Sequence, residues 1–209
     1  TEGTLYPLSP TETPEEPLET VIQRRGSTRK FVRGPITFSQ LSALLLKACT
    51  GVQADFLSAG SHLCDLYLTV HDVDGLPSGA YVYHREQQAL EQLKEGDFRT
   101  TSGYLGLDQE LPADASADIF FLTDLKPVLG RMGNRGYRAA QIEASITAGK
   151  IYLAAYAQRM GASGLTFYDD DVTDFFSPHA ASKSVMFLMA LGYPDRVALG
   201  LKPQRQSDG

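Results

Sequence analysis

Cysteine is scarce in this chain: only Cys49 and Cys64 occur among 209 residues, and they form no C-x-x-C pair. A domain of this size can bury enough core to dispense with a covalent staple, so reduced thiols in a cytoplasm are expected. Long apolar runs are missing too. The longest apolar stretch without a charge, Ser184 to Tyr193, is too short for a bilayer, and the first residues show no basic-then-apolar leader, so a soluble, non-exported protein is expected. Nor is positive charge in excess. A net charge of -6 argues against a broad nucleic-acid surface, which needs concentrated Lys and Arg.

Most compact signatures of catalysis are absent as well. Gly130, Gly133 and Gly136 are spaced G-x-x-G-x-x-G, whereas the dinucleotide fingerprint has its first two glycines two positions apart; no G-x-x-x-x-G-K-[ST] loop occurs either. His62, His71, His84 and His179 are scattered without H-x-x-x-H spacing, and there is no G-x-S-x-G elbow, so zinc and serine-hydrolase chemistry lack support. Asp169-Asp170-Asp171 invites a metal, but acids where a helix begins are expected to cap it and meet its positive dipole end.

What is present reads as one α+β domain, with 43% of positions hydrophobic. Residues Thr1 to Pro17 hold four prolines and predict an extended linker or wrapping arm without a regular hydrogen-bond ladder. Pro17 opens a helix over Leu18 to Arg24, ended by Gly26, and a second helix follows Pro35 with Thr37 or Ser39 as its cap. Leu66 to His71, Gly79 to His84, Leu90 to Lys94, Ala117 to Thr123, Ala162 to Phe167 and Ser184 to Leu191 read as strands. Asp169 to Phe176 reads as a short helix. From Tyr137 to Met160 runs a long helix in which Ile142, Ile146, Leu153 and Ala157 share one face while the others are also largely apolar. Such a helix needs cover on all sides, which a dimer seam provides.

One cluster stands out. In Arg24-Arg25-Gly26-Ser27-Thr28-Arg29-Lys30-Phe31, an extended backbone would send Arg25, Ser27 and Arg29 to one side, where guanidinium forks and a hydroxyl suit phosphate oxygens. A solvated basic turn is the plain alternative. Lys202 and Arg205 are either a frayed basic tail or the closing side of that cradle.

These residues resemble the nitroreductase superfamily, and within it the SagB/ThcOx-type branch of thiazole- and oxazole-forming dehydrogenases. R-R-G-S-T-R-K-F is similar to the family's R-R-S-x-R-x-F phosphate motif, and Ser58-Ala59-Gly60 to its P-S-A-G flavin loop, with Leu57 in place of the proline. Gly75 to His84 (G-L-P-S-G-A-Y-V-Y-H) and Arg135 to Ala144 (R-G-Y-R-A-A-Q-I-E-A) resemble two further segments of the branch. The resemblance implies a nitroreductase-like fold, a mixed or antiparallel sheet flanked by helices, forming a dimer with FMN at its interface. It implies that Arg25, Ser27, Arg29, Lys202 and Arg205 anchor the phosphate, and that backbone near Ser58, Gly60, Leu165 and Thr166 faces the ring. The expected activity is hydride transfer to or from a small organic or peptide-derived substrate.

The chain departs from the branch at two places. Arg131-Met132 stand where a Lys-Tyr pair is usual, so azoline dehydrogenation is not expected of this chain alone, and Thr166-Phe167 replace a Gly-Gly beside the flavin. A catalytically degenerate dimerisation or substrate-presenting module is the alternative. The chain also resembles the C-terminal half of tandem SagB-like proteins, which would make residues Thr1 to Pro17 an interdomain linker.

Overall fold

The computed structural model describes residues 3–10, 16–58 and 60–195. In chain order it places β1 (Leu5–Pro7), α1 (Leu18–Arg24), β2 (Phe31–Val32), β3 (Ile36–Thr37), α2 (Phe38–Ala48), β4 (Asp65–Val70) and β5 (Val73–Asp74). There follow β6 (Gly79–His84), β7 (Ala89–Glu95), α3 (Arg99–Leu105), α4 (Glu110–Asp114) and β8 (Ala117–Thr123). The chain continues through α5 (Leu125–Met132), α6 (Arg135–Ala157), β9 (Gly161–Leu165), α7 (Asp169–Phe176) and β10 (Ser184–Pro194).

The sheet runs β1-β7-β6-β4-β8-β10-β2, with β9 also paired to β10, and every pairing in it is antiparallel. Its centre, β8, is buried at every residue. Side chains alternate across a strand, so Ile119 and Phe121 join a core built with α2 and α6, while Phe120 and Leu122 join a second core with α3 and α7. The expected α+β sheet flanked by helices is therefore present. Helix α2 starts at a capping box in which Thr37 Oγ1 accepts the Gln40 N–H at 3.1 Å and the Gln40 side chain accepts the Thr37 N–H at 2.9 Å. No helix among the described residues is long and apolar enough to cross a membrane.

Three local expectations change. Among the described residues of the proline-rich N-terminal stretch, Leu5–Pro7 does make a ladder, as an edge strand on β7; Pro is tolerated there because an edge leaves one side unpaired. Helix α7 has no side-chain cap. Its acids bind elsewhere: Asp169 accepts the Val185 N–H at 3.0 Å and Asp171 the Tyr104 hydroxyl at 2.8 Å. In α6 the inward face carries Ala140, Ala144, Ala148, Ile151 and Ala155, whereas Ile142 and Ile146 are exposed. Small side chains let the helix lie close to the sheet, and the bulkier residues are left outside.

Candidate functional site

Between α1 and β2 the backbone is extended, and burial alternates along it: Thr28 is buried, Arg24 is partly buried, and Arg25, Ser27 and Arg29 are exposed on the other side. The neighbouring cations are occupied. Arg24 bonds both carboxylate oxygens of Glu16 at 2.6 and 2.5 Å and the Tyr156 carbonyl at 2.6 Å; Arg33 pairs with Asp114 at 2.6 Å and Lys30 with Asp195 at 3.9 Å. Arg25 and Arg29 pair with no carboxylate among the described residues. Two unneutralised guanidinium groups flanking a serine are donors of the kind that suits an anion.

The corner is docked on β9. The Thr28 N–H donates to the Ala162 carbonyl at 2.9 Å, and its hydroxyl lies 3.3 Å from that of Tyr156. Residue 161 must be glycine, because a Cβ there would lie 2.2 Å from Thr28 Oγ1. One helical turn before Tyr156, the Tyr152 hydroxyl accepts the Gly164 N–H at 2.6 Å and lies 3.5 Å from Ser27 Oγ. The Arg25 guanidinium lies 5.3 Å from the Tyr152 ring centroid.

Beside this corner opens a cavity of ≈ 670 Å³ lined by Arg29, Gln109, Glu110, Leu111, Ser163, Gly164, Leu165, Thr166 and Phe187. Its size suits a cofactor. Ala162 and Gly164 turn a carbonyl and an N–H outward from the edge of β9 away from β10; Thr166, just past the end of the strand, lines the cavity. Phe167 does not line this cavity. Its ring packs against the core of Val172 and Phe176, so the bulk that replaces the second glycine is turned away.

Thus Arg29 lines one cavity with Leu165 and Thr166, and Arg25 and Ser27 lie beside it against Tyr152, although sequence separates these two segments. Ser58 and Gly60 do not join them within one chain. They line a separate cavity of ≈ 390 Å³ with Thr50, Gly51, Val52, Gln53, Ala54 and Leu57. Lys150 of α6 ties that loop down, donating to the Gly51 carbonyl at 2.5 Å. Lys202 and Arg205 lie outside the described residues.

Tyr152, Tyr156, Gln109 and Phe187 were not singled out by sequence. Two tyrosines at i and i+4 on α6 were legible as neighbours, but nothing local says that they face β9 rather than the core. Among the described lining residues Glu110 is the only acid and no histidine or thiol is present, so the walls bind and orient more readily than they move protons. Cys49 and Cys64 are elsewhere and free, the first half-buried and the second buried; desolvation pushes the Cys49 thiol up to about 11 and that of Cys64 well above its ordinary value.

Comparison with known proteins supplies the lineage. A crystal structure of a nitroreductase-type protein from Anabaena variabilis superposes with a TM-score of 0.83 at 29% identity, covering 92% of this chain and 42% of that one. This chain therefore spans less than half of that relative's length. The protein MJ1384 of Methanocaldococcus jannaschii, named as a nitroreductase, is 24% identical over 163 residues, 75% of this chain and 82% of its own. The NADPH:FMN oxidoreductase of Vibrio harveyi, solved with NAD+, shares the fold at 15% identity with a TM-score of 0.60, covering 92% of this chain and 79% of that one. The family model for nitroreductases matches residues 22–193, from within α1 into β10, and on that match this chain belongs to the nitroreductase family.

Proposed function

We propose that this chain is the FMN-binding domain of a homodimeric oxidoreductase of the SagB/ThcOx type, moving hydride to or from a small organic or peptide-derived substrate. The observation that carries this reading is the pair of unneutralised arginines, Arg25 and Arg29, beside a cavity walled by Leu165 and Thr166. The family supports it, as does the FMN named for the Vibrio harveyi relative. Arg25, Ser27 and Arg29 would hold the phosphate, and the backbone near Thr166 would meet the ring. Bound flavin supplies the two-electron chemistry. The chain's own groups bind, orient and exclude water.

A second copy explains why Ser58 and Gly60 line a different cavity: each site would take its phosphate corner from one protomer and this loop from the other. Tyr137, Ile142 and Ile146 lie on the surface of α6, 48%, 47% and 40% exposed, as an apolar seam would require. The length of the Anabaena variabilis relative is what a tandem arrangement would give, with the second unit supplying groups that Arg131-Met132 lack.

The test is optical. Purified protein is expected to be yellow, with oxidised-flavin absorbance at one FMN per chain. The doubly substituted R25A/R29A protein should bind FMN at least about 100-fold more weakly, since each charge-assisted bond contributes about 1.5–3 kcal/mol. Full flavin retention in that variant refutes the phosphate assignment, and a colourless wild type that takes up no added flavin favours the scaffold alternative.

A further inference from the structure

Tyr152 touches three separate parts of the candidate site, and that convergence calls for an explanation. Its hydroxyl accepts the Gly164 N–H on the edge of β9 away from β10, its oxygen lies within reach of Ser27 Oγ, and its ring lies beneath the Arg25 guanidinium. Neither sequence motif includes it, because it sits in the last third of α6, which packs between the two segments.

From these contacts we infer that Tyr152 is a positioning residue that aims the phosphate-binding donors, coupling the Arg25–Arg29 corner to the strand that faces the flavin ring. The inference rests on the functional reading above and goes beyond it. A phenol has one proton and two lone pairs. Since its oxygen already accepts from Gly164, the Tyr152 proton is free for Ser27 Oγ. Ser27 then accepts from the tyrosine and turns its own proton outward, toward an anion, instead of spending it on a protein acceptor. The ring restrains Arg25 at the same time, through cation–π attraction to a guanidinium that no carboxylate holds. One side chain thereby orients two of the three phosphate donors and ties them to Gly164, which lines the cavity.

Tyr156 has the different task of packing. Its hydroxyl meets Thr28, which is buried and faces away from the anion side. Tyr156 therefore holds the corner in place, while Tyr152 sets the direction of its donors.

The experiment compares two ligands that differ only by the phosphate. FMN and riboflavin are titrated by flavin fluorescence against wild-type protein, Y152F, S27A and the double variant. Y152F keeps the ring and removes the hydroxyl; it should weaken FMN about tenfold and riboflavin by less than about twofold. S27A should weaken FMN similarly, and the two effects should not add, because both interrupt one hydrogen-bonded chain. Y152L loses the ring as well and should weaken FMN about a further fivefold.

Equal losses for FMN and riboflavin in Y152F would overturn the inference, since a merely structural defect has no reason to distinguish them. So would additive effects of Y152F and S27A, or an unchanged FMN affinity in Y152F. A wild type that binds neither flavin overturns the functional reading and this inference together, whereas a failure confined to the variants overturns the inference alone.

Discussion

Arg24, Arg25, Arg29 and Arg33 carry the same charge along one short segment, yet their neighbours give them different tasks. Arg24 and Arg33 spend their donors on Glu16 and Asp114, while Arg25 and Arg29 keep theirs. Nothing in the side chains themselves makes that division; the placement of distant carboxylates does. Asp65 shows the same dependence on neighbours. Burial alone would raise its carboxyl, but hydrogen bonds from His62 and Lys183 outweigh that and hold it at about 2. Since an unfolded Asp titrates near 3.9, this contribution to stability is fully present well above pH 4 and is lost as pH falls toward about 2. D65N is therefore expected to lower the urea midpoint at pH 7, with the gap from wild type narrowing as pH falls and closing only below about pH 2. Equal midpoints at pH 7 would show that the pair contributes nothing, as exposed ion pairs often do.

At the scale of elements, α6 and β9 define the site between them. Gly164 has to be small: a Cβ there would lie 2.7 Å from the tip of the Phe187 ring on β10. G164A should cost about 1–3 kcal/mol by overpacking, measured by urea unfolding, and F187L should restore most of it by making room. If F187L fails to rescue, the strain lies in the backbone and not against that ring. The strands were largely legible, because period-two alternation and turn residues are local properties; Gly79 to His84 and Ala117 to Thr123 were bounded as they stand in the structure. The inward face of α6 was not. Its residues are apolar nearly all round, so periodicity cannot choose a face, and the choice falls to steric fit, which admits alanines and excludes Ile142 and Ile146.

For the molecule as a whole, the exposed side of α6 and the two separate cavities lead to one expectation. Wild-type protein should sediment as a dimer, and I142E/I146E should shift it to monomer and, by separating the two half-sites, weaken FMN binding as well. Analytical ultracentrifugation with and without FMN checks both; a charged variant that stays dimeric would place the seam elsewhere.

The longer strands and helices, the extended corner with its alternating arginines and the resemblance to the nitroreductases were present in the sequence, because each depends on neighbours a few positions apart, whereas short elements such as β1, β3 and β5 were not. Tertiary structure alone decided which arginines stay unpaired, that Phe167 turns into the core, and that Tyr152 joins Ser27 to Gly164. These contacts link segments remote along the chain: Ser27 and Tyr152 are 125 positions apart. Such pairs meet only once the sheet and α6 have packed, so no local pattern encodes them.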